Sequence, residues 1–155
     1  MTQGNQQFIA FRLGGCDCGI NIGQIREINR LVEISKMPGT PSFIEGVINL
    51  RGEVIPVLDL LKLFEMGESV TTPDSRILVA EVNGKTIGCI VDSVNEVLRV
   101  NRIEELPDLL LQTGDHRFVT EVAKLGDRLI LILDLDKILA NYDELLQTVG
   151  NPVSR

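Results

Sequence analysis

The sequence predicts a mainly β fold in which two related five-stranded barrels pack together. Hydrophobic residues make up 44% of the chain and aromatic residues only 4%, so the core must consist mostly of Ile, Val and Leu, which favour strands. Two collinear internal repeats divide the chain into related halves, and each half begins with a hairpin pattern. Five short strands can hide their open edges by curling into a small barrel, and two packed barrels bury more apolar surface than one.

The internal repeats set the boundaries of the two barrels. Residues 46–64 align with residues 121–139 at an offset of 75, and residues 8–28 align with residues 77–97 at an offset of 69. Both matches keep the same order along the chain, which indicates two related half-domains. Identical positions include Gly19 and Gly88, Glu27 and Glu96, and Asp59 and Asp134. We therefore predict a first barrel at about 7–66 and a second at about 75–134.

Turn residues and apolar runs place the strands within each half. The first strand-forming run turns at Gly14-Gly15, and its counterpart in the second half turns at Asn83-Gly84, a strong hairpin signal. Less regular strands are expected at 28–34 and 94–100. A second hairpin, whose return strand is almost continuously apolar, completes each half.

Helices are predicted to be short and few. We expect a helical turn at 23–28, and two prolines make 36–42 an ordered loop. Apolar residues recur at spacings of three and four over 135–149, which predicts a C-terminal helix, and we expect its apolar face to pack on the first barrel. The tail at 151–155 is expected to be flexible.

Composition and charge exclude several classes of function. The formal net charge is −7 and the pI is about 4.7, whereas binding to a phosphate backbone needs a clustered basic surface. The opening residues have no basic start, apolar region or cleavage site of a signal peptide, and no apolar run approaches the roughly 18 residues that span a bilayer. The sequence therefore predicts a cytoplasmic protein that binds neither nucleic acid nor the membrane interior.

The sequence contains no convincing catalytic constellation. His116 is the only histidine, and it stands in a polar stretch typical of a loop. Asp59 and Asp134 look like a pair of catalytic carboxylates, but they occupy equivalent positions in the two halves. Each follows an apolar strand and precedes a helical turn, so both are predicted to cap helices. Neither a phosphate-binding glycine loop nor a kinase signature is present.

The three cysteines are predicted to be free thiols. Cys16, Cys18 and Cys89, together with His116, are ligand types that suit zinc, but they lack paired C-x-x-C spacing. Cys18 and Cys89 each align with an isoleucine of the other half, as expected of small buried hydrophobic residues. Cys16 lies near the hairpin turn and is the most exposed and reactive of the three by this interpretation. We predict no cofactor.

Arg51 is a candidate for partner recognition. It stands in the turn of the second hairpin, at the position that Gly126 occupies in the other half. Because the turn can be made with glycine, the backbone does not require arginine there, and a planar, permanently charged side chain suits recognition. The alternative is a solvated turn arginine.

A signature over residues 38–60 resembles that of CheW-like domains. The matching positions are Pro38, Pro41, Phe43, Ile44, Gly46, Val47, Asn49, Leu50, Arg51, Gly52, Pro56, Asp59 and Leu60. The likeness extends over most of the chain and implies a CheW-like domain at 7–140 made of two SH3-like five-stranded barrels. It further implies a non-catalytic adaptor, recruited to membrane-associated receptor arrays, that couples chemoreceptors to the histidine kinase CheA in bacterial chemotaxis.

The same resemblance implies a set of contact residues. In the family, the cytoplasmic hairpin tip of the receptor docks near the groove between the barrels, and the kinase presents its own CheW-like regulatory domain. The positions implied to contact the receptor are Ile25, Glu27, Gly46, Arg51 and Gly52. Two further positions, Val94 and Val97, are implied as partner contacts of the second barrel.

Two alternatives stay open at this point. CheW-like adaptors also serve arrays that control pilus motility or surface sensing, and the residues do not separate these systems from flagellar chemotaxis. A remoter alternative is a metal-dependent or redox protein that uses the cysteines.

Overall fold

The computed structural model of the chain describes residues 6–67, 69–107, 119–138 and 140. Its strands are β1 (Gln6–Leu13), β2 (Cys16–Asn21), β3 (Ile25–Arg30), β4 (Ile44–Leu50), β5 (Glu53–Asp59), β6 (Arg76–Val82), β7 (Lys85–Val91), β8 (Ser93–Val100), β9 (Ile103–Glu105), β10 (Val119–Leu125) and β11 (Arg128–Leu133). A 3₁₀ turn covers Ile22–Gln24, and helix α1 covers Leu60–Leu63.

The strands form two sheets. The six-stranded sheet has the order β8-β1-β2-β11-β10-β9, and the five-stranded sheet has the order β3-β6-β7-β5-β4. Neighbouring strands are antiparallel except for β2 beside β11 and β5 beside β7, which are parallel. This arrangement confirms the predicted fold class, mainly β with two packed sheets and short helices.

Neither sheet is built from one contiguous half of the chain. The first hairpin, β1–β2, joins strands of the second half, and the hairpin β6–β7 joins strands of the first half. The predicted ranges 7–66 and 75–134 therefore do not coincide with the two sheets. The halves have exchanged their leading hairpins, a long-range pairing on which local sequence patterns carry no information.

The three-dimensional pairing follows the internal repeat residue by residue. Gly19 of β2 lies opposite Ile132 of β11, and Gly88 of β7 lies opposite Val57 of β5. These two pairs are equivalent at the offsets of 69 and 75. A side chain at either glycine would press on an isoleucine, with an added Cβ 3.2 Å from Ile130 Cγ2 at Gly19 and 2.9 Å from Ile77 Cγ2 at Gly88. Close packing within the sheets therefore explains both glycines shared by the two halves, against the parallel strand β11 at Gly19 and chiefly against the antiparallel strand β6 at Gly88.

Each sheet curls around a core of its own, and a third core lies between the sheets. The core of the six-stranded sheet contains Phe8, Ala10, Leu98, Val100, Ala123, Ile130 and Ile132. The core of the five-stranded sheet contains Ile48, Ile55, Val57, Ile77, Val79 and Ile90. The third, which we call the inter-sheet core, includes Ile9, Phe11, Leu13, Ile20, Leu58, Leu60, Leu78, Ile87 and Leu135. Strands that contribute to two cores are buried on both faces, which explains their nearly continuous apolar sequence.

Both repeat-related aspartates cap helical turns, as predicted. The carboxylate of Asp59 accepts hydrogen bonds from the backbone N–H groups of Leu61 at 3.0 Å and Lys62 at 3.3 Å. Asp134 accepts one from the N–H of Lys137 at 3.1 Å. Residues 135–138 and 140 are helical. The rest of the predicted C-terminal helix, the tail and His116 lie outside the described residues.

The predicted turn at 23–28 and strand at 28–34 are displaced in the structure. The turn is a 3₁₀ turn over Ile22–Gln24. Asn21 caps its start by accepting a hydrogen bond from the N–H of Gly23 at 2.8 Å. Strand β3 begins at Ile25, and its side chains alternate between half-buried and exposed positions through Arg30. This alternation is the expected pattern of a half-buried strand.

Gly46 allows the segment at Ser35 to pair with β4, the edge strand of the five-stranded sheet. A single bridge joins Ser35 to Val47 through two backbone hydrogen bonds of 2.9 Å each. Gly46 has a φ of +151°, and an added Cβ would collide with the carbonyl group of Ser35. The buried position therefore requires glycine for packing.

Substitution of Gly46 by alanine should destabilise the protein strongly. The Cβ would displace Ser35 and break the bridge, so we expect the free energy of unfolding to fall by about 3 kcal/mol or more. Gly39 is the matched control, because its φ is +82° but no atom lies within 4 Å of an added Cβ. Gly39→Ala should cost about 1 kcal/mol. Equal losses for the two variants in urea unfolding would contradict this explanation.

Cleavage within the linker between Gly67 and Asp74 should yield halves that fold only together. Each half lacks the parallel neighbour of its leading hairpin, so neither can complete a sheet alone. After separation in denaturant, each fragment should give the circular dichroism of an unfolded chain. An equimolar mixture should recover one cooperative unfolding transition, with the nicked, unseparated protein as the control. A cooperative transition in either isolated fragment would refute the interdependence of the halves.

Candidate functional site

Arg51 and Glu27, which are distant in sequence, form an ion pair on the surface. Arg51 lies in the turn between β4 and β5, and its guanidinium Nη2 donates to a carboxylate oxygen of Glu27 on β3. The Arg51 side chain is 67% exposed, whereas that of Glu27 is 19% exposed. A second pair, Arg26 to Glu53 at 3.1 Å, lies beside it. Two ion pairs thus join this hairpin to the edge strand β3, and the hairpin supplies the cation in one pair and the anion in the other.

The backbone of Arg51 is in the left-handed conformation. Its φ is +53°, and Gly126, the equivalent residue of the repeat, has a φ of +63°. A residue with a side chain costs about 1 kcal/mol more than glycine in this conformation. Arginine is therefore present at Arg51 despite a conformational cost, which indicates that its side chain has a role. The neighbouring Gly52, with φ +87°, is exposed and donates its N–H to Asn49 Oδ1 at 2.9 Å.

An equivalent ion pair exists in the other half, although the arginine itself does not recur at the same position. Arg128 Nη1 donates to Glu96 Oε2 at 3.0 Å, and Glu96 is the repeat equivalent of Glu27. Arg128 lies two residues beyond Gly126. Because both halves have an ion pair between this hairpin and an edge strand, part of the role of the pair is structural. What distinguishes Arg51 is its greater exposure, 67% against 39% for Arg128.

The remaining residues of the expected receptor site differ in accessibility. Ile25 is half-buried and packs against the inter-sheet core. Gly46 is buried beneath the Ser35 segment, so we assign it to packing rather than to partner contact. Gly52 and Arg51 are exposed together at the turn, with Glu27 behind them.

The two valines of β8 lie in different environments. Val97 is 50% exposed, whereas Val94 is half-buried against the inter-sheet core. Their strand is an edge of the six-stranded sheet, just as β3 is an edge of the five-stranded sheet. Of the two, Val97 offers more apolar surface to a partner.

Sequence reasoning missed a matched set of exposed apolar residues. Ile28 on β3, 41% exposed, is the repeat equivalent of Val97. Val54 on β5 and Leu129 on β11, 67% and 57% exposed, are also equivalent to each other. Each sheet thus presents two exposed apolar side chains on the strands that carry its Glu–Arg pair. The repeat alignment contained this signal. It pairs Ile28 with Val97 and Val54 with Leu129, so apolar residues recur at strand positions where an exposed side chain is expected to be polar.

The described part of the chain has free thiols and no cluster of metal-ligating side chains. Among the described residues, no group of three or more His, Cys, Asp or Glu side chains could hold a metal ion. Cys16, Cys18 and Cys89 are all free. No helix in the described ranges is long and apolar enough to cross a bilayer.

Burial suppresses ionisation of two thiols. Loss of solvation raises the pKa of Cys89 from its ordinary value of 9.0 to about 12. Burial also raises the pKa of Cys18 to about 12, with a smaller contribution from the neighbouring Cys16 and Asp17. Both thiols therefore stay neutral at physiological pH and are poor nucleophiles. Cys16 is half-buried at the start of β2.

Stability should fall at alkaline pH because of these thiols. The folded protein keeps Cys89 protonated up to a pKa of about 12, whereas the unfolded chain ionises it near 9, so its stabilisation is complete below pH 9 and declines from there towards 12. Cys89→Val should remove about 1 kcal/mol of the loss between pH 8 and 10. Urea unfolding across this range measures the difference, and parallel profiles for wild type and variant would contradict it.

Comparisons with known proteins agree with this architecture. The family model of the CheW-like domain matches residues 7–143. The chain is 33% identical over 145 residues to the chemotaxis protein CheW of Rhizobium meliloti, covering 92% of this chain and 93% of the relative. It is 32% identical to the protein FrzA of Myxococcus xanthus, covering 86% of this chain and 85% of the relative.

A solved structure matches the fold as well. The crystal structure of the scaffolding protein TtCheW from Thermoanaerobacter tengcongensis superimposes with a TM-score of 0.78 at 40% sequence identity. The match covers 84% of this chain and 90% of the other. The signature around Arg51, the paired sheets and these matches over most of the chain lead to one conclusion: the chain belongs to the CheW-like domain family.

Proposed function

We propose that this chain is a non-catalytic adaptor that couples chemoreceptors to the histidine kinase CheA in bacterial chemotaxis. Membership of the CheW-like family and similarity to a scaffolding protein support this function. The observation that carries the proposal is Arg51, an exposed cation held in a conformation that favours glycine and aligned by Glu27. Such a side chain contributes little to folding and is suited to a partner.

The proposed receptor site combines a polar turn with apolar edge strands. Arg51, Gly52 and Glu27 supply charge and an exposed backbone, and Ile28 adds apolar surface on β3. Interfaces of this kind have an apolar centre with a polar rim, and the charges fix register more than they add affinity. Ile25 and Gly46 support the site from below, because one packs on the inter-sheet core and the other holds β4 against Ser35.

The opposite edge strand supplies a second candidate contact. Val97, with Val94 beneath it, lies on β8 and is related to Ile28 by the repeat. We propose that Val97 contacts a partner from the six-stranded sheet. The CheW-like regulatory domain of CheA and the cytoplasmic hairpin tip of the receptor are the proposed partners, which would place the adaptor in the cytoplasm at membrane-associated receptor arrays.

Signal transmission by such an adaptor needs no chemical step. A change in the receptor alters the relative stability of adaptor-bound arrangements, and the kinase responds to the shifted population. The two sheets share the inter-sheet core, so a contact on one sheet is coupled mechanically to the other.

Charge reversal at Arg51 should weaken receptor binding without unfolding the protein. The pair with Glu27 is exposed, so its loss should change the free energy of unfolding by less than about 1 kcal/mol. Binding to a receptor cytoplasmic fragment should weaken about tenfold, because an anion replaces the cation that is proposed to recognise the receptor. Co-sedimentation with the receptor fragment and CheA, scored for stimulated kinase activity, measures the effect.

Two further variants separate recognition from folding. The exchange Glu27→Arg with Arg51→Glu restores the ion pair but inverts the charges, so it should recover stability and not receptor binding. Arg128→Ala removes the equivalent pair of the other half and should leave receptor binding unchanged. Normal kinase stimulation by Arg51→Glu would refute the proposed site.

A further inference from the structure

The carboxylate of Asp59 does more than cap α1. It is 2% exposed, and in addition to the two helix N–H groups it binds Ser69 of the segment between the halves. The Ser69 hydroxyl donates to Asp59 Oδ1 at 2.8 Å, and the Ser69 N–H donates to Asp59 Oδ2 at 3.2 Å. The buried charge is thus stabilised by four hydrogen bonds.

The bonds to Ser69 are additional to the helix cap. A capping side chain accepts hydrogen bonds from N–H groups of the first helical turn, as Asp59 does from Leu61 and Lys62 and as the repeat-equivalent Asp134 does from Lys137. Ser69 lies outside α1, so its two donors are not part of the cap. The same carboxylate therefore also anchors the connection to the other half.

The anchored segment is ordered by its own contacts. We call residues 69–75 the linker strap. Thr72 donates its N–H to Ser75 Oγ at 2.9 Å, and the Ser75 N–H returns a bond to the carbonyl of Thr72 at 3.0 Å. Ser75 is 3% exposed. Ser69 and Ser75 thus fix the two ends of the strap.

Helix α1 and the residues after it reach the other sheet. An added Cβ at Gly14 would lie 2.7 Å from Leu61 Cδ2 and 3.0 Å from Met66 Cε, so both side chains pack on the turn of the first hairpin. That turn belongs to the six-stranded sheet, whereas α1 continues from β5 of the five-stranded sheet. The Gly14 N–H also donates to Asp92 Oδ2 at 2.9 Å. This corner is where α1 and the residue Met66 after it meet the first hairpin of the other sheet.

We propose that the Ser69–Asp59 contact is a charge-sensitive latch: one buried carboxylate holds the linker strap and caps α1, and α1 packs through Leu61 on the Gly14 turn of the other sheet. A negative charge at position 69 would face the buried Asp59 carboxylate, and two like charges do not remain in contact without a cation. Asp59 is retained by the α1 N–H groups and by its place in β5. Position 69 therefore moves away and releases the strap.

The latch can be tested on the full chain by amide hydrogen exchange. Ser69→Asp should accelerate exchange about tenfold or more at the amides of residue 69, Thr72 and Ser75, and also at Gly14. Exchange in β6 and β7 should stay unchanged. Thr71→Asp is the matched control, because Thr71 is exposed in the same strap, and it should leave all four amides at the wild-type rate.

A milder variant covers the case in which Ser69→Asp fails to fold. Ser69→Ala removes only the hydroxyl and keeps the backbone bond, so it should accelerate exchange at the strap amides about two- to tenfold. Wild-type exchange of the strap in Ser69→Ala, or equal effects of charge at positions 69 and 71, would overturn the latch. Unchanged exchange at Gly14 while the strap opens would overturn its role in joining the sheets.

Discussion

Exchange of the leading hairpins between the two halves is the constraint on which the other features depend. Because β1–β2 completes the sheet of the second half and β6–β7 completes that of the first, neither half has a sheet of its own. The strands of both hairpins are covered on two faces, by the core of one sheet and by the inter-sheet core. Gly19 and Gly88 stand at the positions where β2 and β7 pair with their parallel neighbours. The edge strands β3 and β8, which carry candidate contact residues, each pair with a strand of an exchanged hairpin.

Local signals in the sequence were sufficient for most of the strands. Turns with glycine, alternation and apolar runs located both leading hairpins, and the two aspartates were identified as caps because the repeat paired them. The pairing of hairpins with the opposite half was not predictable in the same way, because it depends on contacts between residues from 31 positions apart (Val57 and Gly88) to 113 positions apart (Cys18 and Leu131). The start of β3 was misplaced because the 3₁₀ turn begins directly after Asn21, which caps it, and ends after three residues; composition alone does not reveal such a cap.

The candidate site was only partly visible in the sequence. Arg51 was singled out because its repeat partner is glycine, and the left-handed backbone gives that difference a physical meaning. The repeat alignment did not reveal the ion pair with Glu27 or its counterpart between Arg128 and Glu96. Arg128 lies two residues beyond the position equivalent to Arg51, so the alignment does not pair the two arginines. Gly46, expected at the partner surface, is explained by the close approach of Ser35. Ile28 became a candidate only when the exposure of β3 was known.

The hairpin exchange also bears on how the chain folds during synthesis. Strand β2 ends at Asn21, but its parallel neighbour β11 is not complete until Leu133. At roughly 5–20 residues synthesised per second, the edge of β2 stays without its parallel neighbour for on the order of ten seconds. An isolated hairpin is only marginally stable in water. The nascent chain therefore carries an incomplete apolar hairpin until β11 has been synthesised, and the six-stranded sheet cannot assemble before that point.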